Sequence, residues 1–325
     1  MFRVISLLVV LTIFIQCKSS HPGIDNQDQD PVSKHGQLAI SGKHLTDQNG
    51  VPVQLKGMSL FWSQWMPQYF NKTTVKQLKE HWNCNVVRAP LAVERGGYLE
   101  NPEREQAKVI TVIEAAIQEG IYVIIDWHDH HAEDHVEESI TFFSHIAEKY
   151  GSYPNIIYEI YNEPLNVSWS TVLKPYHQRV IAAIRTYDKN NVIVCGTPTW
   201  SQRVDEAALD PIKAKNIAYS LHFYAGTHKE ELREKTISAL DRNLPIIVTE
   251  YGTTDADGDG NVDTEETQRW WDFLDAHHIS YCNWSVADKQ ESSSVLLPGT
   301  RSEEIHLDQK LTPSGKFVRA KLKAQ

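Results

Sequence analysis

The sequence predicts a (β/α)8 TIM barrel in the α/β class, forming a single catalytic domain, and three observations predict it. From Val32 onward, eight short apolar runs alternate with amphipathic stretches, at roughly 30–40 residue spacing. The runs are almost continuously apolar, as strands are when a sheet is covered on both faces. Polar and aromatic residues gather at the carboxyl ends of those runs, where a barrel carries its working face. The rival architecture, an open doubly wound sheet, would favour a Gly-x-Gly-x-x-Gly turn after the first strand, and none is present.

In chain order, the first strand is read in Gly50–Ser59 and leads into Phe61-Trp62-Ser63-Gln64-Trp65. Thr73–Trp82 follows as a helix with Thr73 near its cap. Asn85–Pro90 is the second strand. Glu103–Glu119 places Val109, Val112, Ile113, Ala116 and Ile117 on one helical face, and Gly120 stops it. Ile121–His128 is the third strand and His135–Tyr150 its helix. The fourth strand ends in Tyr161-Asn162-Glu163-Pro164, where proline cannot continue a ladder. Trp169–Tyr187 is helical, and Asn191–Gly196 is the fifth strand. Asn216–Tyr224, Pro245–Gly252 and Ile279–Ser285 are the sixth to eighth strands. Helices His228–Arg242, Thr264–His277 and Thr312–Lys323 follow them in turn.

Ahead of the barrel, Arg3 precedes an apolar run from Val4 to Ile15. That run is too short to span a bilayer comfortably and reads as the core of an export signal. Residues 1–17 are therefore expected to be a signal peptide of possible lipoprotein type, residues 18–35 a disordered linker, and residues 36–325 the catalytic domain. Cys17 after the apolar core resembles a bacterial lipoprotein acylation site, although Gln16 stands where a small residue is usual. The expectation is an exported protein, secreted or anchored at the outer membrane or cell surface. Cys84, Cys195 and Cys282 fit no zinc spacing and read as buried free thiols. A net charge of −10 leaves nothing to neutralise a nucleic acid. With 9 Trp and 13 Tyr, there are more large rings than packing alone would use.

Glu163 and Glu250 close two of the apolar runs in matched contexts, and Arg88, His128, Asn162, His222, Tyr224 and Trp284 sit at other strand ends. So many polar groups at one end of apolar strands would be costly without a shared wet site. Two facing carboxyls suit glycosidic hydrolysis, one protonated to assist the leaving oxygen and the other ionised. Arg88 is placed to keep one glutamate ionised, and Trp65, Trp200 and Trp284 offer flat faces to pyranose rings.

These residues resemble glycoside hydrolase family 5, and among its members the bacterial endo-β-1,4-glucanases or cellulases. The likeness runs from about Gly36 to Lys321. It rests on Val87-Arg88-Ala89, Ile124–His128, Ile157–Pro164, Gly196–Gln202, His222–His228, Thr249–Gly252 and Asn283-Trp284-Ser285. The resemblance implies that Glu163 is the proton donor and acid/base, and Glu250 the nucleophile, of a retaining double displacement on internal bonds of cellulose and related β-glucans. It implies that Arg88, His128, Asn162, His222, Tyr224 and Trp284 form the shell around them. Lys289 and Glu291 match polar residues of the glycone side, and Trp65 and Trp200 match stacking tryptophans. No cofactor is implied, the partner is a β-glucan, and a monomer is expected. With no separate binding module visible, crystalline cellulose is expected to be attacked poorly. Two departures stand out: Leu60-Phe61-Trp62 replaces a region where relatives carry a histidine, and Tyr251 stands where tryptophan is frequent. The alternatives are another β-glycanase of the family (mannanase, xyloglucanase or mixed-linkage glucanase) and an inactive surface glycan-binding lipoprotein.

One further stretch carries its own signal. Asp255, Asp257, Asp259, Asp263 and Glu266 fall at positions one, three, five, nine and twelve of an EF-hand-like loop, with Gly260 at six. The spacing admits a structural calcium, with a solvated acidic turn as the alternative.

Overall fold

The computed structural model describes Phe2 and residues 30–324; the expected signal peptide, Cys17 and most of the expected linker lie outside the described residues. Eight parallel strands close into a barrel: β1 (Lys56–Leu60), β2 (Val86–Ala92), β3 (Tyr122–His128), β4 (Ile156–Glu159), β5 (Val192–Cys195), β6 (Ile217–Tyr224), β7 (Ile246–Gly252) and β8 (Tyr281–Val286). Each pairs with its sequence neighbours, and β8 pairs with β1. The helices are α1 (Lys72–Trp82), α2 (Pro102–Glu119), α3 (Val136–Tyr150), α4 (Lys174–Tyr187), α5 (Val204–Leu209), α6 (Glu230–Leu240), α7 (Thr264–Ala276) and α8 (Pro313–Lys323).

Local chemistry explains most of the boundaries. Asn71 caps α1 by accepting the Thr74 amide at 2.9 Å, and Thr312 does the same for α8 through Gly315 at 3.0 Å. Gly120 ends α2 in the left-handed region at φ 68°, a conformation that favours glycine. The α6 helix starts at Glu230 rather than His228 because the His228 ring turns back to accept the Tyr224 amide at 2.9 Å. At Gly57 a Cβ would stand 1.8 Å from the Val86 carbonyl oxygen, so the close approach of β1 to β2 requires glycine there.

The core has two main shells. Between strands and helices lie the fully buried rings of Trp82, Trp127, Trp270 and Trp271. Inside the barrel, Val86, Ile124, Ile157, Val194 and Ile247 pack with Leu38, Leu45, Val53 and Leu55. Those last four belong to the segment containing the hairpin Ala39–Ser41/His44–Thr46, which closes the amino-terminal mouth. Tyr122 donates to the Gly36 carbonyl, and the Ile40 amide donates to Asn216. This plug and α5 were not read from the sequence. Residues 31–35, expected to end the linker, form a helical turn capped by Asp30. Cys84, Cys195 and Cys282 are buried and free, as expected.

Candidate active site

Closing the barrel brings the strand-end residues into one cleft, and Arg88 is its centre. The side chain is completely buried, which is tolerable only if its charge and N–H groups are met. Its Nε donates to Glu159 Oε2 at 2.7 Å and its Nη1 to Glu250 Oε2 at 2.9 Å. Its Nη2 reaches Asn162 Oδ1 at 2.7 Å and Asp126 Oδ2 at 2.9 Å. One guanidinium thus serves three carboxylates. The Tyr224 hydroxyl donates to the other oxygen of Glu250 at 2.8 Å.

Glu163 sits just past β4, where the Asn162 amide donates to Trp127 O at 3.1 Å and tethers the loop to β3. Two imidazoles hold its carboxyl. His222 Nδ1 lies 3.0 Å from Oε1 and His130 Nε2 lies 3.2 Å from Oε2. The far nitrogen of His222 meets Thr249 Oγ1 at 2.9 Å, and that hydroxyl donates to Glu159 Oε1 at 2.6 Å. Thr249 therefore accepts from His222, which fixes a proton on Nε2 and leaves Nδ1 free to exchange one with Glu163. Burial opposes charge on His222, but its bonds to Glu159 and Glu163 raise it to about 9. Burial likewise raises Glu163, and the two imidazoles outweigh it, bringing the carboxyl down to about 2.

Glu250 is raised by burial and by the negative charge of Glu163, against the pull of His222 and Arg88. That rise depends on where one proton sits. When the proton held on His222 passes to Glu163, the negative charge that raises Glu250 and the imidazolium charge that lowers it disappear together. Arg88 and Tyr224 then leave Glu250 an anion beside a neutral acid. His128 is lowered well below the usual imidazole value, first by burial and then by Arg88. Its Nδ1 donates to Asp126 at 2.6 Å, so Nε2 remains an acceptor.

A carboxylate oxygen of Glu163 and one of Glu250 lie within 4.8 Å of each other. Open space extends to both sides of this pair. One cavity of ≈ 470 Å³ contains both glutamates with Trp200, Gln202 and His228. Another, of ≈ 230 Å³, contains both with Trp62, Trp65, Trp284, Lys289 and Glu291. A third of ≈ 560 Å³ lies behind Lys289–Ser292 and holds neither glutamate.

Trp65 and Trp200 stand on opposite arms of the cleft, 47% and 45% exposed, which leaves their faces free for stacking. Trp284 is instead almost covered, stacked on His128 at 5.2 Å and against Phe61 at 5.0 Å. Trp200 is held by its amide donating to Pro164 O at 2.8 Å, with Thr199, Trp200 and Ser201 all at positive φ near 55°. Three consecutive non-glycine residues in that region are strained, and strain of this kind concentrates at binding loops. Lys289 pairs with Glu291 and lies 5.6 Å over the Phe61 ring. Tyr251 is buried, stacked on Phe223, and accepts from Trp271 Nε1 at 3.0 Å, so it belongs to the wall behind the site.

Every residue named from the sequence for catalysis or sugar binding therefore lies in or around one cleft. Four that matter were not named: Asp126, Glu159, Thr249 and His130. A charged residue inside an apolar strand was the available signal for the first two.

The calcium expectation is not supported by the geometry. Glu266, the twelfth-position residue, turns away to Arg233 and Arg269. Asp263 caps α7 and pairs with Lys229 at 3.0 Å. The side chains at the end of the loop are spent on arginine, lysine and backbone partners, and do not converge on a common point with its aspartates.

Comparison with known proteins agrees with this arrangement. Residues 46–290 match the model of the cellulase family, glycosyl hydrolase family 5. Endoglucanase Z of Dickeya dadantii is 46% identical over 295 residues, covering 90% of this chain and 66% of that protein. The chain spans 57–66% of the length of the three curated endoglucanases compared with it. A solved protein from Cytophaga hutchinsonii superposes with a TM-score of 0.90 at 54% identity, covering 91% of this chain and 97% of that one. The catalytic domain of Thermobifida fusca endoglucanase Cel5A, solved as a variant in complex with cellotetraose, gives 0.86 at 32% identity, covering 91% of this chain and all of that one.

Proposed function

Because the chain belongs to the cellulase family, glycosyl hydrolase family 5, we propose that it is a retaining endo-β-1,4-glucanase acting on cellulose and related β-glucans. The observation that carries this reading is that one oxygen of Glu163 and one of Glu250 lie within 4.8 Å of each other, so the two carboxyls face one another across a short gap. Pairs that react by covalent attack stand roughly 5–5.5 Å apart, against roughly 6.5–9.5 Å where a water must fit between them. The endo mode is supported by cavities on both sides of the pair. A chain lying across the cleft can be cut away from its ends.

In this reading Glu250, held by Arg88 and Tyr224, attacks the anomeric carbon and forms a glycosyl ester. Glu163 gives its proton to the departing oxygen, then takes one from the water that releases the sugar. His222 shares that proton with Glu163 through Nδ1. The unpaired Asn162 Nδ2, buried beside Arg88, is the natural donor to a sugar hydroxyl. His128 Nε2 is the corresponding acceptor. Trp65 and Trp200 stack sugars at the two ends, and Trp284 forms the floor beside the cleaved unit. Lys289 and Glu291 bind hydroxyls on the glycone side.

Reducing-sugar release should be greatest on carboxymethyl-cellulose, compared with mannan and xyloglucan, and the first product seen by NMR should keep the β configuration. An α product would sink the retaining mechanism. A clear preference for mannan or xyloglucan would move the assignment to another glycanase.

We further propose that the protein is exported, either secreted or anchored at the outer membrane or cell surface through Cys17, and that it acts as a monomer. The support is the short apolar run before that cysteine. Among the described residues no helix is long and apolar enough to cross a membrane. In a bacterial host, a Cys17→Ser variant should leave the membrane fraction, and an unchanged distribution would remove the anchor. Sedimentation as a dimer would overturn the monomer.

A further inference from the structure

We propose that His130 is a second positioning residue for the acid/base, clamping one oxygen of Glu163 while His222 clamps the other, so that the carboxyl cannot rotate away from the cleaved linkage. The proposal rests on the reading of Glu163 given above. The two rings arrive from different elements, His130 from the loop after β3 and His222 from β6, and each takes one oxygen, at 3.2 and 3.0 Å. A carboxyl held by one partner still turns about its last bond, whereas one held at both oxygens has a fixed plane.

His130 is itself anchored. The Tyr161 hydroxyl donates to its carbonyl at 2.9 Å, and the next amide, of His131, donates to Asp129 Oδ1 at 2.9 Å. Trp62 presents its ring edge-on to His128 at 4.1 Å and to His130 at 5.8 Å.

The two imidazoles differ in access to water. His222 is 2% exposed and His130 34%. His130 is thus the half of the clamp that titrates with solvent. Several charged groups face it. Glu163 and Glu250 lie across the cleft and Asp129 lies on its own loop, and all three favour its protonated form. Burial works against that form, and the net shift is upward. His128 and His222 are the neighbouring imidazoles, and Arg88 lies beneath them. Glu94 and Arg95 form the rim of the small cavity beside Trp62 and Trp65. An N–H on the carboxylate favours its ionised form whether or not the ring is charged. Removing it must therefore raise the pH at which Glu163 loses its proton.

The test compares two substrates on the full chain. Carboxymethyl-cellulose expels a sugar hydroxyl and needs the acid. 2,4-Dinitrophenyl β-cellobioside expels a phenolate that needs no proton. Acid catalysis contributes roughly 10²–10⁴-fold, and misaligning it should forfeit about tenfold of that. His130→Ala should lose about tenfold in kcat/KM, which reports the first displacement alone, on the first substrate and less than about twofold in kcat/KM on the second. The alkaline limb of its kcat/KM profile should move to higher pH. His130→Gln keeps a donor and should recover most of the lost rate.

Equal losses on both substrates, an unmoved alkaline limb, or a folded Gln variant no better than Ala would each overturn the proposal. Glu163→Gln is the control. If it spares kcat/KM on the dinitrophenyl substrate while His130→Ala fails the test, only the clamp is wrong. If Glu163→Gln depresses kcat/KM on both substrates alike, the acid assignment fails and the clamp falls with it.

Discussion

Glu250→Ala is expected to reduce hydrolysis of soluble β-glucan by roughly 10⁵-fold, the scale on which loss of a covalent nucleophile acts. No other group is placed to take over. Glu159 and Asp126 are completely buried and committed to Arg88, and Glu163 faces the pair from the acid side. The fold should survive. Arg88 loses one of its carboxylates but keeps Glu159 and Asp126, and Tyr224 loses one acceptor at the edge of an open cavity. The shortened side chain leaves a space facing the anomeric carbon. Azide should enter it and restore cleavage of an activated cellobioside, giving the α-glycosyl azide, because the small anion attacks from the nucleophile's side. The measurements are turnover on carboxymethyl-cellulose, circular dichroism on the same sample, and NMR of the azide product. Ordinary turnover by the folded variant would end the assignment of Glu250, and with it the retaining mechanism.

How much of this could be read from the sequence depended on the kind of residue. Glu163 and Glu250 were legible because each closes an apolar run, and strand direction alone sends such ends to one face of a barrel. Arg88 was legible as the one charged residue of its apolar run, although it lies within β2 rather than at the strand end expected. What it pairs with was only half legible. The carboxylates Asp126 and Glu159 looked like parts of their strands, yet buried charge demands a counter-charge, and Arg88, one strand from Asp126 and two from Glu159, supplies it. Asp126 alternates with Ile125 and Trp127, and Glu159 with Tyr158, at a period of two, which carries both carboxylates into the barrel. His130 was not legible, because its place depends on the course of a loop rather than on strand period. Trp200 was recognised as a surface ring, but nothing in Thr199-Trp200-Ser201 announces three left-handed residues. The hairpin under the barrel escaped because strands of three residues have too few positions to show alternation. The EF-hand-like spacing misled for the opposite reason. Its periodicity is real, but Arg233 and Arg269 lie outside the motif and take its twelfth residue.

The largest effect on stability is expected at Arg88. Arg88→Leu is close in apolar volume but leaves Asp126, Glu159 and Glu250 facing one another with no fixed positive charge between them. Breaking a buried ion pair by removing one partner costs about 3–5 kcal/mol, because the survivor stays desolvated. Here three carboxylates survive, so the cost belongs at the upper end of that range, and the melting temperature should fall by roughly 5–10 °C. The pH dependence gives the cause away. In the variant the folded carboxyls can relieve repulsion only by binding protons, so their folded values rise above the unfolded ones. The native state then binds more protons than the unfolded chain, and stability decreases as pH rises. The deficit against the unaltered protein should be smallest near pH 5 and widen toward pH 8. Arg88→Lys separates charge from geometry. An ammonium restores the positive charge but cannot reach Glu159, Glu250, Asn162 and Asp126 together, so it should recover part of the melting temperature and little of the turnover. Melting curves of the three proteins at pH 5, 6.5 and 8 decide the matter. A leucine variant that melts with the parent at every pH would mean that the three carboxylates are not held by this guanidinium, and that Glu250 owes its charge to something else.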